Sequence, residues 1–152
     1  MALKTGIKAP DIRLKSTSGN EFSLEDDMQG TSCIIYFYPK NFTPGCTEEA
    51  CSFRDAFSEF RNLNIPIFGI SRDSIESHIK FKKAHNLPFE LLSDPTGKVC
   101  KAYDAFIPVL RIPKRITYLL DEKHQIIAAY QDMFAARSHI EQMIKKSKDA
   151  NN

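Results

Sequence analysis

Two cysteines, Cys46 and Cys51, stand at the end of the stretch Pro-Lys-Asn-Phe-Thr-Pro-Gly-Cys-Thr-Glu-Glu-Ala-Cys, which starts at Pro39. A cysteine thiolate can attack the O–O bond of a peroxide and become a sulfenic acid, while water or an alcohol leaves. A nearby second thiol can then condense with the sulfenic acid to form a disulfide. The pair therefore contains the groups that a two-cysteine redox cycle needs.

The elements around Cys46 favour its ionisation. The apolar run Cys33–Tyr38 predicts a buried strand, and a helical pattern follows from Pro44 to about Leu63. Thr43 is predicted to cap this helix, with Pro44 at its first position. Cys46 then lies in the first helical turn, where free N–H groups and the positive end of the helix dipole stabilise a thiolate.

The spacing between the two cysteines has a mechanical consequence. Residues five apart on an intact helix have Cα atoms roughly 8–9 Å apart and side chains that diverge by about 140°. A disulfide needs Cα atoms closer than about 7 Å. If Cys46 and Cys51 form a redox pair, the first turns of the helix must unwind, so that the chemistry is coupled to local unfolding.

A peroxide also has to be oriented beside the sulfur. The hydroxyl of Thr43 and the N–H groups of Gly45 and Cys46 are placed to do this. A guanidinium would stabilise both the thiolate and the charge that develops on the leaving oxygen. Pro39 and Pro44 would shape the pocket and shield the sulfur from water.

The rest of the chain predicts an α/β fold. Its further strands are predicted as a hairpin of Asp11–Leu14 with Glu21–Leu24, single strands over Ile65–Ser71 and Glu90–Asp94, and a hairpin of Arg115–Asp121 with Gln125–Gln131. Its further helices are predicted from Ser74 to about Asn86, around Val99, Cys100 and Tyr103, and from Ser138 to about Lys146. The segment Phe106–Pro113 is predicted to be irregular. Alternating strands and helices indicate parallel crossovers, and the last hairpin adds antiparallel strands. We therefore expect a mixed central sheet with helices on both faces, and a site beyond the carboxyl ends of its strands.

The length of the chain is typical of a single domain over residues 1–152. Residues 145–152 are expected to form a frayed polar tail. The chain has 21 Lys and Arg against 19 Asp and Glu, which gives no reason to expect a nucleic acid or an acidic membrane as partner. No apolar run approaches the ~20 residues of a membrane span, and the N-terminus lacks a signal-peptide core. We expect a cytoplasmic protein whose cysteines are free or redox-active.

The remaining cysteines and histidines receive simpler interpretations. Cys33 alternates within an apolar strand and is expected to be a packed core thiol. Cys100 is interpreted as an incidental thiol, although its participation in a disulfide stays open. The four histidines, none at metal-ligand spacing, are expected at the surface: His78, His85, His124 and His139. No metal or organic cofactor is predicted.

The stretch from Pro39 to Cys51 resembles the active site of a known family. Pro39-x-x-x-Thr43-x-x-Cys46 is similar to the peroxiredoxin active-site motif, and the run from Thr43 to Cys51 resembles the bacterioferritin comigratory protein, or Q-type, branch. The flanking segments Tyr36–Lys40 and Phe53–Asp55 are similar as well. The resemblance covers roughly the whole chain and implies a thioredoxin-like fold that carries an N-terminal hairpin.

By this resemblance Cys46 matches the peroxidatic cysteine and Cys51 the resolving one, with Thr43 and Pro39 at their motif positions. The family's arginine comes from a later strand, and Arg115 fits its pattern in Arg-Ile-Thr-Tyr-Leu-Leu-Asp. Two other cations, Arg111 and Lys114, stand close by. The segment 105–114 departs from the branch, because it is short and rich in proline and aliphatic residues.

The resemblance implies a thiol-dependent peroxidase that reduces hydrogen peroxide and organic hydroperoxides. Cys46 would become a sulfenic acid and then an intramolecular disulfide with Cys51, which thioredoxin or a similar dithiol protein would reduce. The branch favours a monomer. Two rival readings are a general thiol–disulfide oxidoreductase, whose cysteines are usually closer together, and a redox-sensing or chaperone-like binding protein that uses the cysteine pair as a switch.

Overall fold

The computed structural model describes residues 2–131 and 136–150. Its strands are β1 (Arg13–Ser16), β2 (Glu21–Ser23), β3 (Cys33–Phe37), β4 (Ile67–Ser71), β5 (Glu90–Ser93), β6 (Phe106–Ile107), β7 (Ile112–Pro113), β8 (Ile116–Leu120) and β9 (Ile126–Tyr130). Its helices are α1 (Leu24–Asp27), α2 (Pro44–Asp55), α3 (Phe57–Asn62), α4 (Ile75–Ala84), α5 (Lys98–Ala102) and α6 (Ala136–Ala150). The segment predicted to be irregular holds the short antiparallel pair β6–β7.

Seven strands form one sheet in the order β2-β1-β5-β4-β3-β8-β9. The central strands β3, β4 and β5 run parallel, while β8, β9, β1 and β2 pair antiparallel with their neighbours. This confirms the predicted mixed sheet. It also brings the start of β8 beside the end of β3, where Phe37 is paired with Ile116.

Alternate residues of β3 enter two different cores. Cys33, Ile35 and Phe37 pack on one face of the sheet, together with side chains from α1 and α5. Ile34 and Tyr36 pack on the other face against α2, α3, α4 and α6. Helices therefore cover both faces, as the sequence predicts, and α2 belongs to the second face.

The single helix predicted from Pro44 to Leu63 is two helices. At Ala56, between α2 and α3, the backbone has φ −93° and ψ 1°, outside the helical range. The apolar pattern continues through this break because Phe53 and Phe60 are both buried, with ring centroids 6.4 Å apart. A pattern that records only which side chains face the core does not reveal such a break.

Helix α6 is longer than predicted. It begins before Ser138, continues past Lys146 to Ala150, and buries Ser147. The predicted frayed tail is therefore wrong over residues 145–150, and residues 151 and 152 lie outside the described part of the chain.

Two of the histidines expected at the surface are buried. Helix α4 begins after Ser74, whose hydroxyl accepts from the N–H of Ser77, and its turn directs His78 inward and leaves Ile79 49% exposed. His124, in the turn between β8 and β9, lies 2.7 Å through Nε2 from the carbonyl oxygen of Met28. Burial of both rings corrects the prediction, while the side chain of His139 lies outside the described residues.

Gly69, in the middle of β4, supports the ring of Tyr36. A Cβ atom at position 69 would lie 2.7 Å from Tyr36 Cζ and 2.9 Å from Leu91 Cδ2. We expect Gly69→Ala to lower the free energy of unfolding of the reduced protein by about 1–3 kcal/mol, because both neighbours are fully buried and cannot move away freely. Urea denaturation measures this, and Ile79→Ala, at an exposed position, should change stability by less than about 0.5 kcal/mol. Equal stability of Gly69→Ala and the wild type would contradict the tight packing.

Candidate active site

Cys46 lies in the first turn of α2, as predicted, and is buried, with 1% of its surface exposed. The helix begins with a hydrogen bond from the N–H of Thr47 to the carbonyl of Thr43 at 2.9 Å. The N–H groups of Gly45 and Cys46 precede this bond, so no carbonyl within the helix can accept from them. They are available to a group that approaches the sulfur.

Arg115 reaches this sulfur from the neighbouring strand. It stands directly before β8, and its Nη1 donates to Cys46 Sγ at 3.1 Å. Gly45 leaves room for the guanidinium, because a Cβ there would lie 2.9 Å from Arg115 Nη2. Of the three cations weighed from the sequence, Arg115 is the one bonded to Cys46, while Arg111 is exposed and Lys114 half-buried.

Glu49 shares the same guanidinium. It follows Cys46 by three residues on α2, is 5% exposed, and its Oε1 lies 3.5 Å from Arg115 Nη1. Burial raises the pKa of Glu49 from 4.5 to about 8, against the opposing effect of Arg115. The contact indicates that Glu49 helps to orient Arg115 beside Cys46.

Thr43 occupies the N-cap position of α2, but its side chain does not cap the helix. Its hydroxyl donates to the carbonyl of Lys40 at 2.7 Å, which corrects the predicted capping bond. The hydroxyl therefore acts as a donor to the preceding loop and not as an acceptor from the helix. Pro39, at the start of the same loop, is half-buried directly after the buried Tyr38.

Cys51 is half-buried on the same intact helix, and both thiols are free. Cys46 belongs to the core on the α2 face of the sheet, whereas Cys33 and Cys100 belong to the core on the opposite face. Burial raises the pKa of Cys33 to about 12, and burial beside Asp94 raises the pKa of Cys100 further. The sheet thus separates both core thiols from Cys46.

The sequence assigns no role at the site to two residues that lie beside it. Asn41, in the loop before α2, is 3% exposed, and His78 on α4 is fully buried. Asn41 Nδ2 lies 2.9 Å from His78 Nδ1. The spacing of His78 and Phe81 on one face of α4 indicates an inward histidine, whereas no local pattern pairs it with Asn41, 37 residues earlier.

The part of the chain that the structure describes contains no cluster of three or more His, Cys, Asp or Glu residues able to hold a metal ion. None of the helices in this part is long and apolar enough to cross a membrane.

The chain is similar to several known proteins. The AhpC/TSA family model matches residues 5–129. The chain is 39% identical to peroxiredoxin Bcp of Bacillus subtilis, over 98% of each chain. It is 38% identical to the chloroplastic peroxiredoxin Q of Sedum lineare, over 92% of this chain and 75% of the other.

A solved structure matches the fold over almost the whole chain. It is the bacterioferritin comigratory protein of Xanthomonas campestris, solved in trapped intermediate and ligand complexes to study its alkyl peroxide reduction. Its TM-score is 0.86 at 27% identity, covering 98% of this chain and all of the other. On the family match and these likenesses, the chain belongs to the AhpC/TSA family, in the branch of the Bcp and peroxiredoxin Q proteins.

Proposed function

We propose that this member of the family is a thiol peroxidase in which Cys46 attacks the hydroperoxide. The observation that carries the proposal is the 3.1 Å bond from Arg115 Nη1 to Cys46 Sγ at the start of α2. A guanidinium remains protonated at any physiological pH, so it holds a positive charge against the sulfur and favours the thiolate. Burial of Cys46 strengthens this attraction, because little water screens it.

The first step transfers one oxygen. The Cys46 thiolate attacks the terminal peroxide oxygen, an S–O bond forms, the O–O bond breaks, and the departing hydroxide or alkoxide takes up a proton. Arg115 and the N–H groups of Gly45 and Cys46 stabilise the charge on the oxygens. The hydroxyl hydrogen of Thr43 is committed to Lys40, so the Thr43 oxygen presents lone pairs that accept from the O–H of the peroxide.

The second step forms the disulfide. The sulfur of Cys51 attacks the Cys46 sulfenic acid, an S–S bond forms, and the hydroxyl leaves as water. Because the intact α2 keeps the two sulfurs apart, its first turns unwind before this step. A dithiol protein, which we propose to be thioredoxin or a similar protein, then restores both thiols by exchange.

Hydrogen peroxide and organic hydroperoxides are the proposed substrates, in line with the alkyl peroxide reduction named for the Xanthomonas protein. We propose a monomer, and the cytoplasmic location stays a prediction. A general oxidoreductase would have no use for an arginine bonded to its buried thiol. A redox sensor would need the cysteine pair but not fast turnover. The contribution of Arg115 to the reaction with peroxide therefore distinguishes a peroxidase from a sensor.

Glu49 limits the negative charge of the site. One guanidinium faces two acidic groups, the Cys46 thiol and the Glu49 carboxyl, and both are almost fully buried. Two buried anions beside a single cation would leave one of them uncompensated. Desolvation raises the pKa of Glu49 to about 8 in spite of Arg115, and this keeps the carboxyl neutral near pH 7.

Arg115→Ala should slow the reaction of reduced protein with hydrogen peroxide by about 10²–10³-fold, because the thiolate and the leaving oxygen lose their cation. Stopped-flow kinetics measure the second-order rate constant. Lys114→Ala, which removes the adjacent cation, should react within about twofold of wild type. An unchanged rate in Arg115→Ala would favour the sensor reading.

Cys51→Ser should stop the cycle at the sulfenic acid. After one equivalent of hydrogen peroxide, wild type should lose two hydrogens in intact mass, whereas Cys51→Ser should gain one oxygen that a sulfenic-acid reagent traps. Cys100→Ser should behave as wild type, because the sheet separates it from Cys46. Rapid disulfide closure in Cys51→Ser would show that another thiol is the partner.

Glu49→Gln should change how stability depends on pH. The unfolded carboxyl ionises near 4.5 and the folded one near 8, so the unfolded state releases its proton first and Glu49 destabilises the fold as pH rises between these values. The gain in unfolding free energy of Glu49→Gln over wild type should be larger at pH 8 than at pH 5 by about 1 kcal/mol or more.

Urea denaturation of the reduced proteins at pH 5, 6.5 and 8 measures this difference. Glu48→Gln, at the exposed neighbouring position, should show a difference from wild type that varies by less than about 0.5 kcal/mol over the range. If the difference in unfolding free energy between Glu49→Gln and wild type stays constant with pH, the Glu49 carboxyl is not held neutral in the folded protein.

A further inference from the structure

The loop between β3 and α2 is held in an unfavourable conformation. It leads from Tyr38 to Thr43 and so determines where the Thr43 hydroxyl lies. Phe42, in the middle of this loop, has φ +63°, a left-handed value that costs an aromatic residue about 1–2 kcal/mol. Its ring is more than half exposed, and such a conformation persists only where the surroundings enforce it.

The Phe42 ring contacts Phe81, and four hydrogen bonds of the preceding residue, Asn41, also hold the loop. Its Oδ1 accepts from the hydroxyl of Tyr38 at 2.6 Å, and its backbone N–H donates to the carboxylate of Asp73 at 3.0 Å. Its Nδ2 donates to Ser77 Oγ at 3.1 Å and to His78 Nδ1 at 2.9 Å. One buried side chain thus joins the end of β3 to the start of α4.

His78 takes part in one defined protonation state. The amide nitrogen of Asn41 can only donate, so His78 Nδ1 accepts and carries no proton. Burial lowers the pKa of His78 to about 4, which keeps the ring neutral and leaves this acceptor in place near pH 7. The Tyr38 hydroxyl, 3.3 Å from Nδ1, and the Asp73 carboxylate are the neighbouring groups that face this cluster.

We propose that Asn41 and His78 are positioning residues for peroxide reduction: their hydrogen bond holds the loop so that the Thr43 oxygen faces the peroxide beside Cys46. The proposal rests on the proposed peroxidase function. The path is short, because the Thr43 hydroxyl is fixed by the carbonyl of Lys40, and Lys40 immediately precedes Asn41. If Asn41 loses its contacts, this carbonyl moves and the Thr43 hydroxyl turns with it.

The thiolate is maintained by a separate set of contacts. Arg115 approaches Cys46 from β8, on the side of β3 opposite to β4 and the loop that leads to α4. Helix α2 is anchored by Ala50 and Phe53, which make none of the hydrogen bonds of Asn41 and His78. Loosening the loop should therefore impair the orientation of a peroxide and leave the nucleophile itself intact.

Two reagents separate these effects. Peroxide reduction needs the oriented Thr43 oxygen as well as an accessible thiolate, whereas alkylation of Cys46 by iodoacetamide needs the accessible thiolate but not the Thr43 oxygen. The test compares the second-order rate constants for peroxide reduction and for alkylation in a Cys51→Ser background. Alkylation is followed at the Cys46 peptide by mass spectrometry. Arg115→Ala serves as the reference variant that should slow both reactions.

Asn41→Ala and His78→Leu should each slow the reaction with hydrogen peroxide by about 10–100-fold, while alkylation stays within about twofold of the parent. His78→Asn should restore the peroxide rate to within about threefold of the parent, because its amide oxygen can take the place of the accepting Nδ1. Tyr38→Phe, which removes a single hydroxyl from the cluster, should show a smaller loss in peroxide rate alone. Circular dichroism and urea denaturation identify any variant that fails to fold.

Four results would overturn the proposal. Equal losses in both reactions would mean that the cluster only maintains the fold around Cys46, and unchanged rates in both reactions would mean that it has no role in the reaction. If His78→Asn lowers the peroxide rate as much as His78→Leu does, His78 Nδ1 does not act as the hydrogen-bond acceptor that positions the loop. A parent that reacts with peroxide no faster than free cysteine would overturn the proposed function itself, and the positioning role with it.

Discussion

One guanidinium is the constraint on which the site depends. Arg115 stands at the start of β8, and the antiparallel pairing of β8 with β3 delivers it to the end of the strand that leads to Cys46. The rest of the local structure accommodates this charge: Gly45 leaves space for it, and Glu49 contacts it from the next helical turn. In a buried site, the number of cations determines how many acidic groups can ionise together.

The sequence predicts those parts of the fold and site that depend on local order. Cys46 in a first helical turn follows from the strand, Thr43 and Pro44, all within a few residues, whereas Arg115 follows only from the resemblance of its strand to the family pattern. The partner of the Thr43 hydroxyl does not follow from sequence, because its bond to the carbonyl of Lys40 depends on the path of the loop before the helix. Asn41 and His78 could not be paired from sequence, because their contact exists only once α4 packs against the loop.

The two faces of the sheet divide the cysteines by chemistry. Cys46 shares its core with aromatic side chains of α2 and α3, and Cys51 lies half-exposed on the same helix. Cys33 and Cys100 are buried beyond the strands, where desolvation disfavours their thiolates. Alternation along β3 is enough to create this division, since neighbouring residues of a strand point to opposite faces.

The backbone break at Ala56 sets a boundary on the conformational cycle. Helical hydrogen bonds are cooperative, so a loss that starts at one end tends to spread along a continuous helix. Here the helical conformation stops after Asp55, and α3 begins anew at Phe57 with its own anchor, Phe60, in the core. In the proposed cycle, the break would confine any unwinding to the twelve-residue α2 and would leave the packing beyond it as a template onto which the helix re-forms.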